Sequence, residues 1–101
     1  MNRHDKRAMM ENLSGFQRDL LYINESLDKV SGLEIKAALD RYYDEEIDTA
    51  RLYPNLDELV ERGLMNKGSI DGRTNSYSLS EEGRQVLTAR REWEESLKTS
   101  D

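Results

Sequence analysis

One dipeptide, Asp71-Gly72, constrains what this chain can fold into more than any other feature. Asp-Gly between alternating segments reads as a tight hairpin turn, because its residues accept the positive φ that such turns require. On one side lies Leu64 to Ile70, which alternates weakly around Gly68. On the other lies Ser76-Tyr77-Ser78-Leu79, with Tyr77 and Leu79 on one face. The pattern predicts strands over roughly 64–70 and 75–79.

Everything around that hairpin is written with helical spacing. Ser14-Gly15-Phe16-Gln17 has the S-x-x-Q form of a capping box, and Phe16, Leu20, Ile23 and Leu27 follow at steps of 4, 3 and 4. This predicts a helix over about 15–28. Ser31-Gly32-Leu33-Glu34 opens a second, about 32–43, with Ile35, Leu39 and Tyr42 on one face. The Asp44-Glu45-Glu46 run that follows forms a turn or a frayed end. Leu52, Leu56, Leu59 and Val60 mark a third helix ending at Gly63, a favourable residue just past a C-terminus. Pro54 is tolerated only in a first turn, so this helix should begin near 50–53, with Asp48 or Thr49 at its cap. Ser80-Glu81-Glu82 opens the last helix, which carries Val86, Ala89 (or the stem of Arg90), Trp93 and Leu97. Ala8, Met9, Met10 and Leu13 suit a short leading helix. The class is therefore mainly α with a small β-hairpin. Three helices and a hairpin make a winged helix-turn-helix, here with an added C-terminal helix. The division expected is 1–12 as an N-terminal extension or short helix, 13–80 as the winged unit and 81–101 as the last helix.

With 101 residues and 11.8 kDa the core must be thin. No uncharged run approaches the roughly 18 residues of a membrane span, and Met1 to Arg7 leads into no apolar run of a secretory signal. Cysteine is absent, and His4 is the single histidine. Disulfides, thiolate zinc sites and Ser–His catalysis therefore lack raw material, and a cytoplasmic location is expected. Asp44, Glu45, Glu46 and Asp48 are carboxylates on a polar connector with nothing to bury them, so they read as a solvated charge run, not a catalytic group. No Gly-rich phosphate loop or metal-ligand spacing appears. Neither catalytic residues, nor a metal, nor a cofactor is expected.

Fifteen basic residues stand against 21 acidic, a net charge of −6. That average opposes binding to a polyanion. The acid is concentrated: residues 40–48 carry five acids and one base, and 81–101 six and four, whereas 49–80 is neutral. Arg outnumbers Lys ten to five. An acidic surface poor in Lys fits a protein working in very high salt or an ordinary acidic bacterial domain, and composition does not separate the two.

The stretch Arg51-Leu52-Tyr53-Pro54-Asn55-Leu56-Asp57-Glu58-Leu59-Val60-Glu61-Arg62-Gly63-Leu64 resembles the PadR family of winged-helix transcriptional regulators, with its Leu-Tyr-Pro recognition-helix core and Gly-Leu entry to the wing. Tyr77-Ser78-Leu79-Ser80-Glu81-Glu82-Gly83-Arg84 is similar to that family's wing exit. The likeness covers about residues 13–85, and the acidic, Arg-rich composition resembles the haloarchaeal branch. One departure is the wing tip, Asp71 to Ser76, which carries a single cation where family wings often carry several.

The resemblance implies a regulator that binds double-stranded promoter DNA, most often as a repressor. A groove-entering helix reads bases with side chains near its N-terminus. With the leucines turned inward, Thr49, Arg51, Tyr53 and Asn55 should face outward. Arg suits guanine and Asn suits adenine. Arg51 is equally a candidate for surface ion pairing, Tyr53 for packing under the wing and Asn55 for capping. Lys67 and Arg73 are phosphate or minor-groove candidates, and Thr74 and Asn75 offer neutral donors. Ser14 and Gln17 sit where free backbone N–H groups suit a phosphate, or simply cap the helix. Val86, Ala89, Arg90, Trp93 and Leu97 form a stripe that a thin domain cannot cover from within, which marks an association surface. Met9, Met10 and Leu13 can pack there too. The family dimerises through its C-terminal helix, which implies a homodimer on a pseudo-palindromic site. Ligand-responsive relatives imply a small-molecule effector near Trp93, although simple packing explains that residue as well. A different class remains open: a winged-helix module that binds another protein and not DNA.

Overall fold

The computed structural model describes residues 3–99, apart from the side chains at 3, 4, 7 and 99; the His4 imidazole thus lies outside the described residues. The elements are α1 (Arg3–Glu11), α2 (Gly15–Leu27), β1 (Val30–Ser31), α3 (Gly32–Tyr43), α4 (Thr49–Glu61), β2 (Met65–Ser69), β3 (Asn75–Leu79) and α5 (Glu81–Thr99).

Both capping boxes form. Ser14 Oγ accepts from Gln17 N while Gln17 Oε1 accepts from Ser14 N, and Ser31 and Glu34 do the same for α3. Asp48 caps α4, its carboxylate accepting from Ala50 N at 2.9 Å. The helix thus starts at Thr49, a residue before the expected window, and Pro54 falls in its second turn. The N–H that would have met the Ala50 carbonyl is missing. Ala50 and Pro54 are both exposed, so water can take that carbonyl. At the far end, Gly63 N donates to Val60 O and Leu64 N to Leu59 O, with Gly63 at φ +77°. This Schellman closure turns the chain directly into β2.

The hairpin forms, although its loop, residues 70–74, is longer than a two-residue Asp-Gly turn and only Gly72 of the pair takes a positive φ. Gly72 takes φ +80°, and Asp71 Oδ1 accepts from Arg73 N and Thr74 N at 3.0 Å. Those two amides hold the Asp71 carboxyl below its ordinary pKa. The sheet has three antiparallel strands in the order β1-β3-β2, with Tyr77 opposite both Val30 and Lys67. β1 is an addition to the hairpin expected from sequence. Its two residues precede α3, and Ser31 serves both as a strand residue and as the α3 cap.

The core gathers Leu20, Leu21, Ile35, Leu39, Leu52, Leu56, Leu59, Leu64 and Leu87 with Tyr77. The acidic connector after α3 is tied down. Asp40 accepts from Ile47 N at 2.7 Å and from Lys36 Nζ at 2.9 Å, and Ile47 is buried. The Ile47 amide and then Lys36 hold the Asp40 carboxyl below its ordinary pKa. The stripe on α5 corrects one expectation. α1 packs against α5, so Met10, Val86 and Ala89 are buried within the chain itself, at 2%, 0% and 6% exposure. A leading helix supplies the cover that the winged unit alone lacks.

Candidate nucleic-acid interface

α4 has one buried and one open side. Leu52, Leu56 and Leu59 are wholly buried, while Thr49 and Arg51 are exposed on the opposite side of the first turn. The Arg51 guanidinium lies 4.0 Å from the centre of the Phe16 ring, a cation–π contact that steadies the side chain at the surface. Phe16 in turn stacks on Tyr43, whose hydroxyl donates to Asp19. Burial, and then the Asp19 carboxylate, pushes the Tyr43 phenol up to about 12, so it stays a neutral donor at neutral pH.

Two residues expected to face outward do not do so freely. Tyr53 is half-buried, with its ring laid against Gly32 at the start of α3. It packs there against the core. Asn55 is half-buried too: its Nδ2 donates to Arg51 O at 2.7 Å, and its Oδ1 accepts from Gln17 Nε2 at 3.1 Å. Gln17 itself is 5% exposed. Its Oε1 serves the α2 cap and its Nε2 also donates to Glu58, so its side chain is turned into the protein and away from any phosphate outside. Ser14 remains exposed at the same helix start.

In the wing, Arg73, Thr74 and Asn75 are exposed around the turn. Lys67 is exposed but engaged. Its Nζ lies 3.2 Å from Asp57 Oδ1 on α4 and 5.9 Å from the Tyr77 ring centre. The hydrogen bond it donates to Asp57 raises the Lys67 pKa, so the ammonium is charged throughout the neutral range. Among the described residues, α4 also carries an ion pair between Glu58 and Arg62 at 3.8 Å. Sequence reasoning missed Phe16, Asp57 and Glu58 as parts of this surface. Phe16 showed only as a stripe residue, and nothing in the spacing joins residue 57 to residue 67.

On α5 the open residues lie beyond the cover of α1. Leu97 is 57% exposed, and Trp93 is half-buried with the Arg90 guanidinium 4.4 Å from its ring centre. Met9 is half-buried against the core. A cavity of about 320 Å³ opens beside them, lined by Met10, Glu11, Arg18, Ala89, Arg90 and Trp93. Arg91 makes a bidentate pair with Glu25 of α2, at 2.8 and 3.1 Å, which ties α5 to the winged unit. No helix among the described residues is long and apolar enough to cross a membrane.

The sequence model of the transcriptional regulator PadR-like family matches residues 20–89. The complex structure of hsRosR-S4 is 40% identical, with a TM-score of 0.88 over 95% of this chain and 83% of that one. RosR of H. salinarum, grown from NaBr, is 41% identical, with a TM-score of 0.81 over 89% and 81%. The adhesin competence repressor of Streptococcus pyogenes shares the fold at 18% identity and a TM-score of 0.62, over 92% of this chain and 66% of that one. No curated protein matches. A family match over more than two-thirds of the sequence, on a winged helix whose α4 keeps its leucines inside and Arg51 at the surface, places the chain in the PadR-like family of DNA-binding transcriptional regulators, a family that is not enzymatic.

Proposed function

We propose that this regulator works as a homodimer on a pseudo-palindromic promoter site, as a repressor, with α4 as its groove-reading helix. The observation that carries the reading is the exposed N-terminal turn of α4, where Thr49 and Arg51 stand free of the leucine face. In this reading Arg51 takes a guanine edge, Thr49 and Ser14 meet the backbone, and Arg73, Thr74 and Asn75 follow a neighbouring phosphate run. Lys67 joins them by exchanging Asp57 for a phosphate. Residues 13–80 bind DNA and 81–101 join the two copies, through Arg90, Trp93 and Leu97, with Met9 of α1 beside them. Such a dimer sets its two α4 helices about 34 Å apart. Work on promoter DNA places the protein in the cytoplasm.

Arg51→Ala tests the reading directly. It is expected to weaken specific binding by about 1–3 kcal/mol and to relax preference at one base position in each half-site. A footprint and a selected sequence identical to wild type remove Arg51 from the interface. Trp93→Ala is expected to shift sedimentation from dimer toward monomer at micromolar concentration, and an unaltered dimer contradicts its place in the contact.

Net charge of −6 makes salt the second test. Molar KCl screens the repulsion between protein and DNA, and potassium can bridge surface carboxylates to phosphates. Affinity for a labelled operator is expected to hold or rise from low to molar KCl. A steep conventional loss, the signature of counterion release, excludes this behaviour. Absence of a shifted band at every salt concentration supports the protein-binding module in its place.

A further inference from the structure

A buried carboxamide joins two helices at the point where bases would be read. Gln17 lies at the start of α2 and is 5% exposed, yet every polar atom of its side chain is used. Oε1 accepts from Ser14 N at 3.1 Å and completes the cap. Nε2 donates across 38 residues of sequence to Asn55 Oδ1, at 3.1 Å, and also to Glu58. Asn55 Nδ2 donates to Arg51 O at 2.7 Å. The Asn55 amide is therefore held in one sense, with its oxygen toward α2 and its nitrogen toward the backbone of Arg51. One residue away from Gln17, Phe16 carries the Arg51 guanidinium on its ring. The α2 start thus touches the side chain of Arg51, the amide of Asn55 and the carboxylate of Glu58.

We infer that Gln17 is a specificity-determining positioning residue: by fixing the Asn55 amide, and through it the backbone of Arg51 and the first two turns of α4, it sets how Arg51 meets a base edge without touching DNA itself. The inference rests on the reading of α4 as the groove helix. Its physical basis is geometric. A bidentate side-chain contact to a base discriminates only when donor and acceptor arrive in register, so an amide free to rotate or a helix free to tilt loses discrimination before it loses contact. Phosphate contacts are more forgiving, because they carry no sequence information.

The test separates this role from capping. Gln17→Glu keeps an oxygen for Ser14 N, and so the cap, but removes the donor to Asn55 and sets a second carboxylate against Glu58. Gln17→Met keeps the volume and removes both functions. The full chain is used in molar KCl, with binding sites selected from randomised duplex DNA. Affinity is then measured for the selected site, for its single-base variants and for unrelated DNA, alongside thermal unfolding. Gln17→Glu is expected to lower the ratio of selected to unrelated affinity about tenfold while affinity for unrelated DNA stays within twofold. In an Asn55→Ala background the same change should leave the ratio within twofold, because the group it acts through is gone. A folded Gln17→Glu protein with the wild-type ratio overturns the inference. So does an equal loss on all DNA, or an undiminished tenfold effect without Asn55. Should Gln17→Glu fail to fold, Gln17→Met carries the same comparison. Failure of the α4 reading looks different: the wild type itself selects no sequence, or Arg51→Ala keeps the full ratio.

Discussion

Replacing Leu56 by Ala is expected to destabilise the protein by about 3–4 kcal/mol, the cost of a wholly buried leucine whose surroundings cannot close over the cavity. Leu56 is 0% exposed, and so are Leu52 and Leu59 on the same face of α4. That face packs on α2, α3 and β2, three elements that are held by other contacts and have little room to collapse inward. A domain of this length has about 5–15 kcal/mol in total, so the loss is a large fraction of it. Thermal unfolding should fall by roughly 15–25 °C at fixed protomer concentration. Leu33→Ala is the matched control: Leu33 is 63% exposed and its truncation should stay within about 0.5 kcal/mol. A Leu56→Ala midpoint within a few degrees of wild type would mean that α4 does not rest on its leucines. The outward placement of Arg51 would lose its support with it, because the same rotation of the helix sets both.

That coupling explains what could be read from the sequence. Periodicity reports which side of an element is apolar, so the helices of the winged unit, the inward leucines of α4 and the place of Tyr77 and Leu79 on one face of their strand were legible in the sequence. Capping boxes fixed the starts of α2 and α3, since the signal is local and its partners are three residues apart. β1 was not legible because two residues cannot display an alternation. The cover over the α5 stripe at Val86 and Ala89 was not legible either: a stripe states that something apolar meets it, never whether that is α1 of the same chain or another copy. The site residues divide the same way. Arg51 and Thr49 are exposed because the leucine face dictates it. Tyr53, Asn55 and Gln17 depart from the outward reading through contacts with residues far away in sequence, Gly32 for Tyr53 and each other for the two carboxamides. Side-chain type at an N-terminal turn suggests a ligand, but a buried amide takes whichever partner the fold brings to it first.

Gly83→Ala should destabilise by about 2–3 kcal/mol, although it places the best helix former near the start of a helix. Alanine in α5 would gain up to about 1 kcal/mol on propensity alone. Packing reverses the sign. A Cβ at Gly83 would stand inside contact distance of the Leu64 carbonyl oxygen, with the Leu64 carbonyl carbon and Leu79 Cδ2 each at 3.2 Å. That oxygen cannot rotate aside, because it accepts from Ser80 N at 3.1 Å where the chain leaves β3. Ser80 is pinned as well, its Oγ donating to Gly63 O at 2.6 Å and accepting from Gly83 N at 3.0 Å. The Schellman turn of α4, the start of β2, the end of β3 and the first turn of α5 therefore converge on one backbone contact that only glycine permits. Relieving the clash means moving α5 away from the wing, which also strains the Arg91–Glu25 pair that ties α5 to α2. Two other glycines calibrate the effect. At Gly15 the nearest atom is the flexible Arg18 Nη2, 3.9 Å away, so Gly15→Ala should be neutral or slightly stabilising. At Gly32 the obstacle is the Tyr53 side chain, which can swing out at lower cost than a backbone can move. Urea unfolding of the three variants is expected to rank Gly83 worst, Gly32 next and Gly15 least. A Gly83→Ala protein as stable as wild type would show that the wing and α5 are not locked at Leu64, and that the angle between the DNA-reading unit and the last helix is free to vary.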